Sequence, residues 1–324
     1  MAVYKTEHGF QIKHRSSDPS NPIAGEIWYN TTTQQVKVAP LIGAWASGEN
    51  MNNADSFGAG AGTQTAALKM AGQGPPRRIC EEYNGTSWTE TNDTNTDHFI
   101  TGGFGTQTAA VIAGGMPGGQ GQLDTVEEYD GTSWTTVTVM PAARQGAQGA
   151  GILTAGFMCG GRTDPGSPQT ETYEYDGTNW TDGGDLNTGG TQSACLGTQT
   201  AALLAGRGPA APHVAVEEYN GSTWSEQSAT LGTARYAQGA AGTQTAGLVC
   251  GGWTPSPNTK FAHVEEYDGT SFTEVSNLGT ARYGLSGDGI QTSAVMFGGG
   301  TPTNQTATEE YTKAATVRVL DTST

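Results

Sequence analysis

The chain has 324 residues, of which only 14% are charged and 49 are glycine, and its formal net charge is −16. That charge argues against a nucleic-acid partner, whose phosphates would be repelled. The apolar fraction of 35% with regularly placed aromatics argues for a folded chain rather than a disordered one. No apolar run approaches the length of a membrane-spanning helix, and the first twenty residues contain no signal-peptide h-region.

In chain order, residues 1–50 read as an N-terminal arm. Within it "EIWYN" and "QQVKV" are expected to pair as a hairpin across "TTT". From residue 51 to 324 the sequence repeats. "CEEYNGTSW" (80–88) returns as "VEEYDGTSW" (126–134), "TYEYDGTNW" (172–180), "VEEYNGSTW" (216–224), "VEEYDGTSF" (264–272) and a degraded "TEEYTKAAT" (308–316). The tyrosines Tyr83, Tyr129, Tyr175, Tyr219, Tyr267 and Tyr311 are spaced by 46, 46, 44, 48 and 44 residues. A second string, "GTQTAALLAG" and its variants, keeps the same period.

Each unit divides into four short strands: a glycine-rich strand a, an apolar strand b, "VEEY" as strand c, and the tryptophan segment as strand d. Between c and d, Asn-Gly or Asp-Gly pairs such as Asp130–Gly131 predict two-residue turns with positive φ at both positions. Four strands per unit, six times over, is the signature of a β-propeller. The expected fold is therefore all-β: a six-bladed propeller over 51–324 preceded by the arm, with seven blades including a partial N-terminal blade as the alternative. Ring closure is expected to use "LIGAWAS" (41–47) or "ATVRVL" (315–320).

The glycine doublets Gly114–Gly115, Gly160–Gly161, Gly251–Gly252 and Gly298–Gly299, followed by the strand-c tyrosine and the strand-d tryptophan, resemble the kelch repeat. The chain departs from that pattern in the short Tyr-to-Trp link and at Gly72–Gln73 and Gly206–Arg207. "SSDPSNPIAGEIWYNTTTQQVKV" (16–38), leading through "GAWASGENMN" into the repeats, resembles virion appendage proteins of marine tailed phages such as cyanophages. That resemblance implies a structural protein of the virion, made in the host cytoplasm and present in multiple copies. The arm would attach to other virion proteins, and the propeller would display a face toward a host glycan or protein. A cellular kelch-type scaffold or adhesion protein is the alternative.

The residues give little reason to expect an enzyme. Adjacent strand residues point to opposite faces, so Glu127 and Glu128 cannot flank one bond, and the pair recurs in five of the six units. Cys80, Cys159, Cys195 and Cys250 occupy columns of small apolar residues. The five histidines have no metal-ligand spacing, and no phosphate loop or calcium loop is present. No cofactor or metal is expected.

One column, seven residues ahead of the glycine that opens each "GTQT"-type string, reads Asp55, His98, Arg144, Gly190, Arg235 and Arg282. Its mixed signs predict structural pairing with strand-c glutamates rather than a uniform ion funnel. The b–c loops vary most, so binding is expected there, through Arg77, Arg78, Arg207, His213, Trp253, Lys260 and Phe261.

Overall fold

The computed structural model describes residues 12–118, 121–163, 166–208 and 213–320. Parts of three b–c loops and the first eleven residues of the arm therefore lie outside the described residues. All regular structure among the described residues is β, most of it in four-stranded antiparallel sheets, and the arrangement is consistent with a β-propeller-like fold. The chain divides into two compact units, residues 45–311 and residues 1–44 with 312–324.

In the smaller unit, Ile27–Asn30 and Gln35–Val38 form the expected antiparallel hairpin. Lys13–Arg15 adds to it in parallel, and Arg318–Val319 pairs with its other edge. Trp28 is fully buried, and its indole N–H donates to Asp18 at 3.0 Å. The "ATVRVL" segment thus contributes Arg318–Val319 to this sheet.

In the larger unit every repeat forms one sheet. In the second, strand a is Gly102–Thr106, b is Ala109–Ala113, c is Val126–Tyr129 and d is Trp134–Thr136. The sixth sheet comprises Tyr283–Ile290, Ser293–Gly300 and Thr308–Ala315, and its fourth strand is Leu41–Ser47 from the other end of the chain. Trp45 stands there in the tryptophan position that "TEEYTKAAT" lacks. Its ring lies 5.0 Å from Tyr311, as Trp134 lies 4.9 Å from Tyr129.

The apolar core is divided among the boundaries between successive repeats. One cluster joins Leu68 and Met70 to Ile112 and Tyr129. Another joins Phe157 and Cys159 to Leu204 and Tyr219. The last joins Val295 and Phe297 of the sixth repeat to Ala67, Tyr83 and Trp88 of the first. No repeat can bury its faces without both neighbours.

The two strand-c glutamates do different structural jobs. The first is buried and binds its own repeat: Glu127 accepts from the backbone N–H of Asn95 (2.7 Å) and Thr96 (2.8 Å) and contacts His98 Nε2 at 3.2 Å. Burial pushes its carboxyl up, but the His98 ring and these amides outweigh that and hold it below the usual range. The second glutamate reaches the next repeat. Tyr129 donates to Glu82 (2.8 Å), Tyr175 to Glu128 (2.6 Å), Tyr219 to Glu174 (2.5 Å), Tyr267 to Glu218 (2.9 Å) and Tyr311 to Glu266 (2.8 Å). Tyr83 of the first repeat donates to Glu310 of the last at 2.7 Å. Burial is the main cause that pushes the Tyr129 and Tyr219 hydroxyls up to about 12.

The invariant look of "GTQT" has a similar origin. Gln107 donates to the carbonyls of Ala67 (3.0 Å) and Tyr83 (2.8 Å) of the preceding repeat. Gln64, Gln199, Gln244 and Gln291 do the same. In the third repeat Leu153 replaces the glutamine and packs against the apolar cluster instead.

One turn differs from expectation. Only the glycine of each Asp-Gly pair is left-handed (Gly131, φ +90°). Asp130 instead starts the turn, its Oδ1 accepting from the N–H of Thr132 and Ser133 at 2.8 Å each. The turn is thus centred one residue later, because the aspartate satisfies two amides as a side-chain cap, a bond it cannot make from a central position.

Candidate functional site

The b–c and d–a loops meet on one face, where isolated backbone bridges join them: Phe99 to Met116, Thr191 to Gly208, and Tyr236 to Trp253. Two residues beyond the mixed-sign column, every repeat turns left-handed: Phe57, Ile100, Gly146, Gln192, Ala237 and Gly284 have φ between +53° and +67°. Only two of the six are glycine, although an L-residue in this region costs roughly 1–2 kcal/mol. The conformation is held by backbone bonds running from repeat to repeat. The Phe57 N–H donates to Gly284 (2.7 Å), Gly284 to Ala237 (2.7 Å), Ala237 to Gln192 (2.7 Å), Gln192 to Gly146 (2.8 Å) and Gly146 to Ile100 (2.7 Å). This belt frames one opening of a cavity of about 180 Å³ lined by the a strands of all six repeats.

The column itself is buried and internally paired, as its mixed signs implied. Arg235 meets Glu265 at 2.5 Å, Arg282 meets Glu309 at 2.8 Å, and Lys69 meets Asp55 at 2.6 Å. Arg144, where Tyr173 replaces the glutamate, donates to the tyrosine hydroxyl at 2.9 Å and lies 4.8 Å above its ring centre.

An arc of aromatic rings follows the belt. Phe99 to Phe57 is 5.9 Å between ring centres, Phe57 to Tyr283 5.6 Å, Tyr283 to Trp253 5.5 Å, and Trp253 to Tyr236 5.2 Å. Tyr236 is buried and the other four are half-buried. Two cations sit on the arc: the Arg77 guanidinium 4.8 Å over Phe99 and the Lys260 ammonium 5.9 Å over Tyr283. Arg77 donates to the Pro117 carbonyl (3.4 Å) and Lys260 to Asn258 Oδ1 (2.7 Å), so both hydrogen bonds go to neutral acceptors.

The expected contact residues separate on inspection. Arg77, Trp253 and Lys260 belong to the arc, and Trp253 pairs with Lys260 across a small hairpin. Phe261 is half-buried against His263, 5.2 Å between ring centres. Arg78 is turned to Asp97, 3.0 Å away, and His213 is exposed at the start of strand His213–Tyr219. Arg207 is not a contact residue of this face. It is 4% exposed and its guanidinium lies 2.7 Å from Glu217, filling the space left by Gly190 in the column. Phe57, Phe99 and Tyr236 enter from the d–a loops and Tyr283 opens strand a of the sixth repeat, so the variability of the b–c loops does not point to them. Their signal is the aromatic residue immediately following an Arg or His of the column in three repeats (His98–Phe99, Arg235–Tyr236, Arg282–Tyr283).

All four cysteines are free thiols. The Cys159 thiol is pushed well up by its contact with Cys195 and by burial, which matches an inert packing role. Comparison with protein-family models and with curated proteins gives no match.

Proposed function

We propose that the six sheets are the blades of a closed, kelch-like β-propeller, and that the chain is a non-enzymatic virion appendage protein, such as a tail-fibre component. In this reading the N-terminal arm attaches the protein to other virion proteins, and the loop face around the opening contacts a host glycan or protein. The chain is made in the host cytoplasm and carried in multiple copies on the particle.

The observation that carries the binding reading is the aromatic arc with Arg77 and Lys260 on it. The recurring polar groups of the repeat, its glutamates, tyrosines and glutamines, are used internally. Among the described residues the cations of the arc hydrogen-bond to neutral groups, and they sit in loops that differ from repeat to repeat. Half-buried aromatics beside such cations suit recognition by apolar contact and charge-assisted hydrogen bonding. The resemblance of residues 16–52 to phage appendages supplies the virion context.

Two measurements test the reading. Mass spectrometry of purified particles is expected to recover the chain, and its absence from particles would overturn the virion assignment. The purified protein is expected to bind cells of the host, and Trp253→Ala and Lys260→Ala to reduce that binding, Lys260→Ala while leaving the melting temperature nearly unchanged. Undiminished binding in both variants would move the contact surface elsewhere.

A further inference from the structure

The lysines and arginines of the larger unit divide sharply. Lys69, Arg78, Arg144, Arg207, Arg235 and Arg282 each meet a carboxylate, at 2.5 to 3.1 Å. Among the described residues Arg77, Arg162 and Lys260 meet none, and all three stand at the aromatic arc. Arg77 and Lys260 lie over Phe99 and Tyr283. Arg162 belongs to the Tyr236 end: burial pushes the Tyr236 hydroxyl up to about 12, and the Arg162 charge opposes that rise. With its amide oxygen toward Arg162, Gln145 accepts from Nε at 2.9 Å and Nη2 at 3.2 Å, again a neutral partner. Carboxylates are not scarce, since the chain has 31 acids against 15 lysines and arginines. The cations left without one are gathered beside half-buried rings.

This pattern selects a ligand that carries anions next to flat apolar faces. The C–H face of a pyranose ring packs on an aromatic side chain, and a carboxylate takes charge-assisted hydrogen bonds from arginine and lysine. A uronic acid joins the two in one residue. An acidic peptide supplies carboxylates without a flat apolar face beside each. Duplex nucleic acid carries one charge per about 1.7 Å, a density that a chain of net charge −16 repels. A uronate chain has a single charge per sugar, and the repulsion from the rest of the protein is screened beyond about 8 Å at physiological salt. The cation–π seats also hold the Arg77 and Lys260 heads in place before an anion arrives, so less side-chain freedom is lost on binding.

We propose that the aromatic arc is a binding site for a uronate-bearing saccharide, its sugar rings laid against the arc and its carboxylates met by Arg77, Lys260 and Arg162. The proposal rests on the reading that the loop face is the contact surface, and adds the class of ligand. No bond is made or broken.

Calorimetry of the full chain with oligomers of galacturonate, mannuronate and glucuronate tests it. Saturable binding of at least one oligomer is expected, weakening as salt is raised. The methyl ester of that oligomer keeps the rings and loses the charge, and is expected to bind about tenfold to a hundredfold more weakly. Hexaglutamate, with carboxylates and no sugar ring, is expected not to bind. Arg77→Gln and Lys260→Gln are each expected to weaken binding about tenfold at a melting temperature near that of the parent. Absence of binding to all three oligomers, equal binding of the ester or of hexaglutamate, or undiminished binding by both glutamine variants would overturn the proposal. The ester and hexaglutamate arms use the parent chain, so they decide even where a variant fails to fold. Loss of host-cell binding in Trp253→Ala and Lys260→Ala together with no uronate binding rejects the ligand class and leaves the face as the contact surface. Undiminished host-cell binding in both rejects the face itself.

Discussion

The fourth repeat contains a transposed cation, which makes a sharp test of the pairing logic. In the fifth and sixth repeats the arginine of the column (Arg235, Arg282) neutralises the buried strand-c glutamate, and a glycine doublet follows strand b. In the fourth repeat the column holds Gly190, the doublet is broken by Arg207, and the guanidinium reaches Glu217 from the other side at 2.7 Å. Arg207→Gly removes the counter-ion of a glutamate that is 1% exposed. Breaking a buried pair costs about 3–5 kcal/mol. The lower end is expected here, because Glu217 keeps its bonds from Asn187 N–H and Nδ2 at 2.8 and 2.9 Å. Gly190→Arg alone drives a Cβ to 2.8 Å from Arg207 Cβ and adds a second guanidinium, an overpacking worth roughly 1–3 kcal/mol. The double variant removes both faults and restores the arrangement of the neighbouring repeats, so it is expected within about 1.5 kcal/mol of the parent. The coupling measured by equilibrium urea unfolding is then several kcal/mol, far above the few tenths seen for independent sites. A double variant no more stable than Arg207→Gly would refute the idea that the two positions share one cation slot.

Trp45→Ala is expected to cost about 2–3 kcal/mol, less than the 3–5 of a fully buried aromatic because Trp45 is half-buried, and to expose the 308–311 strand to limited proteolysis before any other. A cost below about 0.5 kcal/mol would remove Trp45 from the sixth sheet. Tyr175→Phe, which leaves Glu128 without its 2.6 Å donor, is expected to lower stability by about 1–2 kcal/mol in thermal or urea unfolding. Burial alone raises the Asp288 carboxyl well above its unfolded value of 3.8, so its stability contribution is present below that pH and is lost as the pH rises through the folded value. Asp288→Asn is therefore expected to melt above the parent at neutral pH, with the gap closing as the pH falls toward 3.8. A gap that is constant with pH would contradict an ionising, uncompensated Asp288.

The period of the repeat made the sheets, their order and the structural use of the glutamate pair legible in advance, because each repeat obeys the same local rules. What stayed hidden involved positions that no local rule connects. Trp45 lies more than 260 residues from Tyr311, so nothing near "TEEYTKAAT" announces that its missing tryptophan comes from the arm. Arg207 looked like a surface cation because its loop is variable. Its burial follows from Gly190, seventeen residues earlier, whose missing side chain leaves the space it fills. Of the aromatic arc, Trp253 sits in a b–c loop, but Phe57 and Phe99 come from d–a connections and Tyr283 from the start of strand a, and they converge only when neighbouring repeats meet.

These departures from the repeat fall into two physical kinds, and the difference locates function. Arg207 with Gly190, Arg144 with Tyr173, and Trp45 in the sixth sheet are each compensated inside the fold, by a second change that restores the lost charge pair, hydrogen bond or ring contact. The buried Asp288 Oδ2 and Gln238 Oε1 have no hydrogen-bond partner, and among the described residues Arg77 and Lys260 at the opening donate to neutral acceptors. A compensated departure is neutral to the folded chain and can drift. One left with a buried unsatisfied oxygen lowers the stability of the isolated protein. On the function proposed above, the loop face around the opening is where a partner outside the chain would meet Arg77 and Lys260, and the faithful "EEY" hairpins are the frame that holds it in place.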